Sequence, residues 1–142
     1  MSENPITPMN VDWALDDLVD GVGAQCAVAL STDGMLIQKS ERISKDDADG
    51  LAASASSLAS IARGTARQFG GEPVRQTIVE MDDLFLIVTA AGANASLALL
   101  ADGTADLGQV AYEMNRLVRR VGAHLASHPR GTTVAPNGGL RA

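Results

Sequence analysis

A long helix with two uncharged sides constrains the fold of this 142-residue chain more than any other feature. Ser44 is a favourable N-cap residue followed closely by two aspartates, and Gly70-Gly71 is a typical helix end, so the pattern predicts a helix up to about Phe69. Residues 50–62 contain no charged side chain, although a surface helix normally carries charges opposite its apolar stripe. We therefore expect this helix to pack on both sides.

The two sides of the helix differ in the size of their side chains. At 100° per residue, the predicted core side consists of Leu51, Ala55, Leu58, Ala62 and Phe69. The opposite side consists of Ala53, Ser56, Ser57, Ser60 and Gly64. Small side chains let a second helix approach closely, so this side predicts an interface with a second copy or a partner. The alternative is a solvated Ser/Ala-rich surface helix.

Five short apolar segments predict strands, over residues 26–30, 35–37, 74–81, 84–88 and 97–100. The first, fourth and fifth are apolar on both faces and are expected at the centre of a sheet, whereas the other two carry polar residues that suit edges. Two further amphipathic helices are predicted from Asn10 to Val22 and from Leu107 to Leu125. The order helix-strand-strand-helix-strand-strand-strand-helix predicts an α/β protein, a three-layer α/β/α sandwich around a five-stranded antiparallel sheet.

Domain boundaries follow from the same patterns. Residues 1–9 contain two prolines and predict an irregular arm, residues 10–127 form the predicted domain, and residues 128–142 predict a disordered tail. The third strand follows the long helix directly, so two copies could join their sheets through this edge and pair their helices. The predicted interface therefore also includes Arg67, Val74, Gln76 and Ile78.

Charge and composition exclude several classes of function. The net charge of −6 repels nucleic acid, and the single cysteine, Cys26, excludes an intramolecular disulfide and a cysteine-based zinc site. No apolar run approaches the roughly 20 residues of a membrane span, and no signal-peptide pattern is present. A cytoplasmic protein that binds neither nucleic acid nor membrane is the expectation.

Candidate catalytic and cofactor motifs all have simpler interpretations. Gly21 and Gly23 follow a helix and precede a strand, so they indicate a helix end rather than a nucleotide-binding loop. His124 and His128 have the spacing of two metal ligands but no third ligand nearby. Cys26 lies in an apolar strand and is expected to be a buried thiol. No catalytic residue, metal or cofactor is predicted.

One aromatic and three basic side chains are possible secondary contacts. Trp13 lies opposite the apolar stripe of the first helix, where it either packs on the arm of residues 1–9 or contacts a partner. Arg116, Arg119 and Arg120 lie on the outer side of the last helix, as a solvated face or as a dock for an acidic partner.

Two segments carry a family resemblance, together with the small-residue helix and the order of elements. They are Gly23-Ala-Gln-Cys-Ala-Val-Ala-Leu-Ser-Thr-Asp-Gly-Met-Leu-Ile37 and Asp102-Gly-Thr-Ala-Asp-Leu-Gly-Gln-Val-Ala-Tyr-Glu-Met114. Over about residues 10–127 the chain resembles the roadblock (dynein light chain) family, particularly its bacterial branch. The resemblance implies a homodimer with a continuous sheet and paired central helices, and no catalytic residues.

The same resemblance implies the partners. Bacterial relatives act on or alongside Ras-like small GTPases, and actinobacterial-type members resemble parts of systems that also contain a sensor-kinase-like protein. The chain is therefore expected to be a non-enzymatic homodimeric scaffold or regulator that binds a small GTPase. The alternative from the layered architecture is a small-molecule sensor domain of profilin-like type, which needs convergent polar groups in a pocket.

Overall fold

The order of helices and strands predicted from the sequence is confirmed. The computed structural model describes residues 12–71 and 73–126. Its elements are α1 (Asp12–Val22), β1 (Ala24–Ser31), β2 (Leu36–Lys39), α2 (Lys45–Phe69), β3 (Gln76–Glu80), β4 (Leu84–Ala90), β5 (Ala95–Asp102) and α3 (Leu107–Ala126). The predicted arm, the cap at Asn10 and the predicted tail lie outside the described residues.

The five strands form one antiparallel sheet in the order β2-β1-β5-β4-β3. As predicted, β2 and β3 are the edges and the apolar strands lie between them. The Asp33-Gly34 turn closes the first hairpin, where Gly34 has a φ of 89° and the Ser31 N–H donates to the Met35 carbonyl at 2.9 Å. β5 begins two residues earlier than predicted because Ser96 interrupted the apolar pattern.

Two hydrophobic cores lie on the two faces of the sheet. Along β4, Phe85 and Ile87 point towards α1 and α3, while Leu86 and Val88 point towards α2. This alternation follows from the two-residue period of a strand and explains why the central strands are apolar throughout. The three layers of the predicted sandwich are therefore present. Within the described ranges, no helix is long and apolar enough to cross a bilayer.

The core side of α2 differs from the prediction. The residues buried against the sheet are Ala48, Ala52, Ala55, Ala59 and Ala66. Leu51, Leu58 and Ala62 are half-buried on one flank, and the assignment of Phe69 to the core was wrong because this side chain is 74% exposed. A row of alanines lets the helix lie close to the sheet, so the leucines reach around its side instead of pointing at the strands.

The ends of α2 form as the sequence predicts. The Ser44 hydroxyl accepts a hydrogen bond from the Asp47 N–H at 3.1 Å, which satisfies a backbone donor of the first turn. At the other end, Gly70 has a φ of 80° and its N–H donates to the Ala66 carbonyl at 2.7 Å. The helix therefore spans the same residues that the sequence pattern indicates.

Candidate partner-binding surface

The side of α2 opposite the sheet is a continuous uncharged row, which we call the outer face. It consists of Gly50, Ala53, Ser54, Ser57, Ser60, Ile61, Gly64 and Gln68. Spacings of three and four residues keep these side chains on one side of the helix. All are exposed except Gly64, which is half-buried, and Ile61 is 67% exposed. Four of the five small residues that the sequence placed on this side therefore lie on it.

Ser56 is the exception among the predicted outer residues. Its hydroxyl donates to the Thr32 carbonyl at 2.9 Å, and its Cβ lies 3.4 Å from the position that a Cβ on Gly34 would occupy. Ser56 thus packs against the turn between β1 and β2 on a flank of α2. Its assignment to the outer face was wrong because angular position alone does not show where a neighbouring turn approaches the helix.

The free edge of β3 lies at the opposite side of the sheet from β2. The Arg75 carbonyl accepts from the Ala90 N–H, and the Met81 N–H donates to the Leu84 carbonyl, so both flanking residues bond towards β4. Because hydrogen-bonding direction alternates along an antiparallel strand, the backbone groups of Gln76, Ile78 and Glu80 point away from the sheet. These groups form an unpaired edge within the described structure.

The side chains on this edge do not all face α2. Gln76 pairs in register with Thr89, and Ile78 with Ile87, which places both on the α1 and α3 side of the sheet. The Gln76 amide donates to the Thr89 hydroxyl at 3.3 Å. The sheet therefore separates these two predicted interface side chains from the outer face of α2, and a partner must span the edge to contact both.

Exposed apolar side chains concentrate around α2 and β3. Ile61, Phe69, Ile78 and Met81 are four of the seven large hydrophobic residues that are exposed in the described structure. The sequence reasoning missed Ile61, although it lies four residues after Ser57 and therefore on the same side of the helix. Exposed apolar side chains on a helix and on an unpaired edge strand favour coverage by another polypeptide.

The outer sides of α1 and α3 form a separate surface. Trp13 is 44% exposed, and the Arg120 guanidinium carbon lies 5.2 Å from the centroid of its indole ring. Arg116 donates to the Glu113 carboxylate at 2.9 Å, while Arg119 is exposed. Two of the three arginines thus have intramolecular partners. The alternative contact of Trp13 with the arm lies outside the described residues.

The sequence profile of the Roadblock/LC7 domain family matches residues 11–101. The chain belongs to this family. A Roadblock/LC7 domain from Streptomyces avermitilis is 39% identical in sequence, with a TM-score of 0.79 over 83% of this chain and 99% of that one. The comparison with curated proteins gave no match.

More distant structures share the fold of this roadblock domain. MglB of Myxococcus xanthus is 19% identical, with a TM-score of 0.75 over 87% of this chain and 99% of that one. Profilin IA of Acanthamoeba castellanii is 13% identical, with a TM-score of 0.58 over 80% of this chain and 97% of that one. The predicted profilin-like roadblock architecture is therefore confirmed.

Cys26, Gly23 and the two histidines are further residues of this roadblock domain that the sequence singled out. Cys26 is buried in β1, and burial raises the pKa of its thiol above the ordinary value. Gly23 has a φ of 70° directly after α1, as expected for a helix end. Among the described residues, no group of three or more His, Cys, Asp and Glu side chains is placed to hold a metal ion. The side chains of His124 and His128 lie outside the description.

Proposed function

We propose that this roadblock domain is a non-enzymatic homodimeric scaffold that binds and regulates a Ras-like small GTPase in the cytoplasm. The observation that carries the proposal is the juxtaposition of the uncharged outer face of α2 with the unpaired edge of β3. The outer face of α2 loses no solvated charge when another polypeptide covers it, and the exposed edge of β3 can be paired at the same time.

The edge of β3 supports a twofold arrangement. Antiparallel pairing of β3 with the same strand of a second copy, centred on Ile78, places Ile78 opposite itself and Gln76 opposite Glu80. The backbone groups of these three residues then form hydrogen bonds across the interface, and two five-stranded sheets become one sheet of ten strands. A closed twofold dimer leaves no copy of this edge exposed.

The outer face of α2 supports the same arrangement. Its glycines, serines and alanine allow two helix backbones to approach closely, and serine hydroxyls can bond across the gap. Ile61 supplies apolar area, and full burial of one such side chain is worth about 1.5–3 kcal/mol. Gly50 and Gly64 lower the helix propensity of α2, which is consistent with selection for packing rather than for the stability of an isolated helix.

The GTPase assignment follows from membership of the family and from the resemblance to its bacterial branch. The sequence lacks a phosphate-binding loop with the spacing Gly-x4-Gly-Lys-Ser/Thr, so in this proposal the partner brings the nucleotide site. Trp13 and Arg119, outside the proposed dimer interface, remain candidate contacts for the GTPase or for a sensor-kinase-like protein.

A nucleotide-dependent capture experiment tests the GTPase assignment. The purified full chain is used as bait in an extract of its native cells, with GTP or GDP added in parallel, and retained proteins are identified by mass spectrometry. We expect a small GTPase to be retained to different extents in the two nucleotides. Its absence from both samples, while the bait remains folded, contradicts the proposal.

A matched pair of variants separates specific capture from non-specific adsorption. Ser57→Glu places a charge on the outer face of α2, whereas Gln25→Glu places the same charge at an exposed position of β1. If dimerisation is required for binding, the first variant loses the GTPase and the second retains it. Equal retention by both variants contradicts a dimer-dependent scaffold.

A further inference from the structure

A cleft of about 450 Å³ lies at one end of the sheet, beneath the C-terminal half of α2. It lies where β1 and β4 end and β5 begins. The serine-rich part of the outer face lies nearer the N-terminal end of α2. Its walls are mostly apolar and include Ala66, Val74 and Ala90. A volume of this size suits a small organic molecule.

Two arginines provide the charge of the cleft. Arg63 and Arg67 are four residues apart on the same flank of α2 and both line the opening. Arg63 is half-buried, and neither residue forms an ion pair with any part of the chain that the structure describes. These two guanidinium groups place two positive charges at the opening, in a protein whose net charge is −6. They attract an anion into the cleft.

A buried hydroxyl provides an independent indication of a ligand. Ser96 is 5% exposed, and its pairing with Leu30 and Ala90 places its side chain on the α2 side of the sheet, where it lines the cleft. Its hydroxyl has no hydrogen-bond partner among the described residues. Because buried polar groups are nearly always hydrogen-bonded, an unpartnered hydroxyl that faces a cleft indicates a missing polar partner.

We propose that this cleft binds a small organic anion, in which one carboxylate or phosphate group is joined to an apolar body. The two guanidinium groups donate hydrogen bonds to the oxyanion, the Ser96 hydroxyl forms a further hydrogen bond, and the apolar body packs on Ala66 and Val74. All of its residues belong to one chain, and two of them, Arg67 and Val74, are also part of the interface predicted from the sequence, so anion binding and dimerisation are tested by separate experiments. The two guanidinium groups and the Ser96 hydroxyl are convergent polar groups of the kind that a sensor domain requires. The sequence did not indicate Ser96 as part of this strand, because the predicted strand began at Leu97.

Calorimetric titration of the full chain with three probes of similar shape tests the charge requirement. Benzoate carries a carboxylate, phenyl phosphate carries a phosphate, and benzamide is a neutral control. We expect at least one anion to bind about tenfold more tightly than benzamide, which corresponds to about 1.4 kcal/mol. The more tightly bound anion identifies whether the natural group is a carboxylate or a phosphate. Failure of both anions to bind, or equal binding of benzamide, overturns the proposal.

Three variants test the assigned residues. Arg63→Gln and Arg67→Gln each weaken binding of the preferred anion by about tenfold, the effect expected for loss of a charge-assisted hydrogen bond. Ser96→Ala weakens it several-fold without lowering the midpoint of thermal unfolding of the free protein, a combination that a merely structural hydroxyl does not produce. The control is Arg42→Gln, which removes an exposed arginine paired with Asp20 and leaves the affinity unchanged.

Two outcomes of the variant titrations contradict this assignment. Binding of the preferred anion by Arg63→Gln with wild-type affinity excludes the cleft as the site, and so does an equal loss in Arg42→Gln. Circular dichroism verifies that each variant is folded. If a variant does not fold, the comparison of the anions with benzamide on the wild-type chain still decides the proposal.

Discussion

The guanidinium of Arg120 lies over the indole ring of Trp13, 5.2 Å from the ring centroid, and joins the outer sides of α3 and α1. These residues are far apart in sequence, and each was a candidate partner contact. Their contact gives both side chains a role within the domain, because a cation over the face of an indole is electrostatically attracted to it.

Replacement of Arg120 tests whether this contact stabilises the fold. We expect Arg120→Gln to lower the free energy of unfolding by about 0.5–1 kcal/mol, the range for a partly exposed cation–π pair. Urea denaturation monitored by Trp13 fluorescence measures the change. Arg119→Gln, on the same helix and outside the contact with Trp13, is the control. An equal loss of stability in both variants contradicts a specific contact.

Gly103 is a second position where the structure makes a sharp prediction. A Cβ at this residue would lie 3.1 Å from the backbone Cα and carbonyl carbon of Asp83, and backbone cannot move aside as a side-chain tip can. Gly103→Ala is therefore expected to destabilise the domain by about 1–3 kcal/mol through overpacking. Chemical denaturation measures this change.

A glycine without neighbours provides the matched control. A Cβ at Gly21 in α1 meets no atom within 4 Å, so Gly21→Ala is expected to be neutral or to stabilise the domain by up to about 1 kcal/mol. Equal stability of Gly103→Ala and Gly21→Ala contradicts the close approach between the loop after β5 and the turn before β4.

Asp102 gives the stability a dependence on acid pH. Its carboxylate accepts hydrogen bonds from the Thr104 N–H and hydroxyl, each at 2.8 Å, and the backbone hydrogen bond is the larger cause of its lowered pKa. A lowered pKa in the folded state stabilises the protein above the ordinary pKa of an aspartate, and this stabilisation disappears as the pH falls through the folded-state pKa.

Comparison of Asp102→Asn with the wild type isolates this contribution. Because the asparagine does not titrate, we expect its midpoint of thermal unfolding to fall less steeply than that of the wild type when the pH is lowered below about 4. A series of melting curves between neutral and acid pH measures both slopes. Parallel slopes contradict a stabilising role for the Asp102 carboxylate.

Local signals account for the part of the fold that could be predicted. The cap at Ser44, the stop at Gly70 and the turn at Asp33-Gly34 each depend on a few adjacent residues, and the structure contains all three. The unbroken apolar strands also predicted which strands lie at the centre, because a strand covered on both faces cannot alternate with polar residues.

Tertiary packing accounts for what could not be predicted. The rotation of α2 onto its alanines depends on the distance between helix and sheet, which helical periodicity does not encode. Ser96 was excluded from β5 because strand prediction favours apolar runs, and that exclusion removed the residue that reveals the cleft. The contact between Arg120 and Trp13 joins two helices whose spatial relation appears only in the folded chain.

The candidate interface was partly visible in the sequence. The absence of charge over residues 50–62 predicted the outer face of α2, and the polar character of β3 predicted a free edge. Ile61 was not among the predicted interface residues, because the pattern that indicated this side of the helix was its small side chains. The side chains of Gln76 and Ile78 lie on the other face of the sheet. Only the register of β3 with β4 reveals this position.

Sedimentation equilibrium at micromolar concentration tests most directly whether a second copy covers the outer face of α2. We expect twice the chain mass for the wild type and for Asn115→Glu, on the exposed side of α3. We expect a monomer for Ser57→Glu and for Ile61→Arg, because each variant buries an unpaired charge in the interface. A wild-type monomer, or dimers that persist in both outer-face variants, contradicts the account.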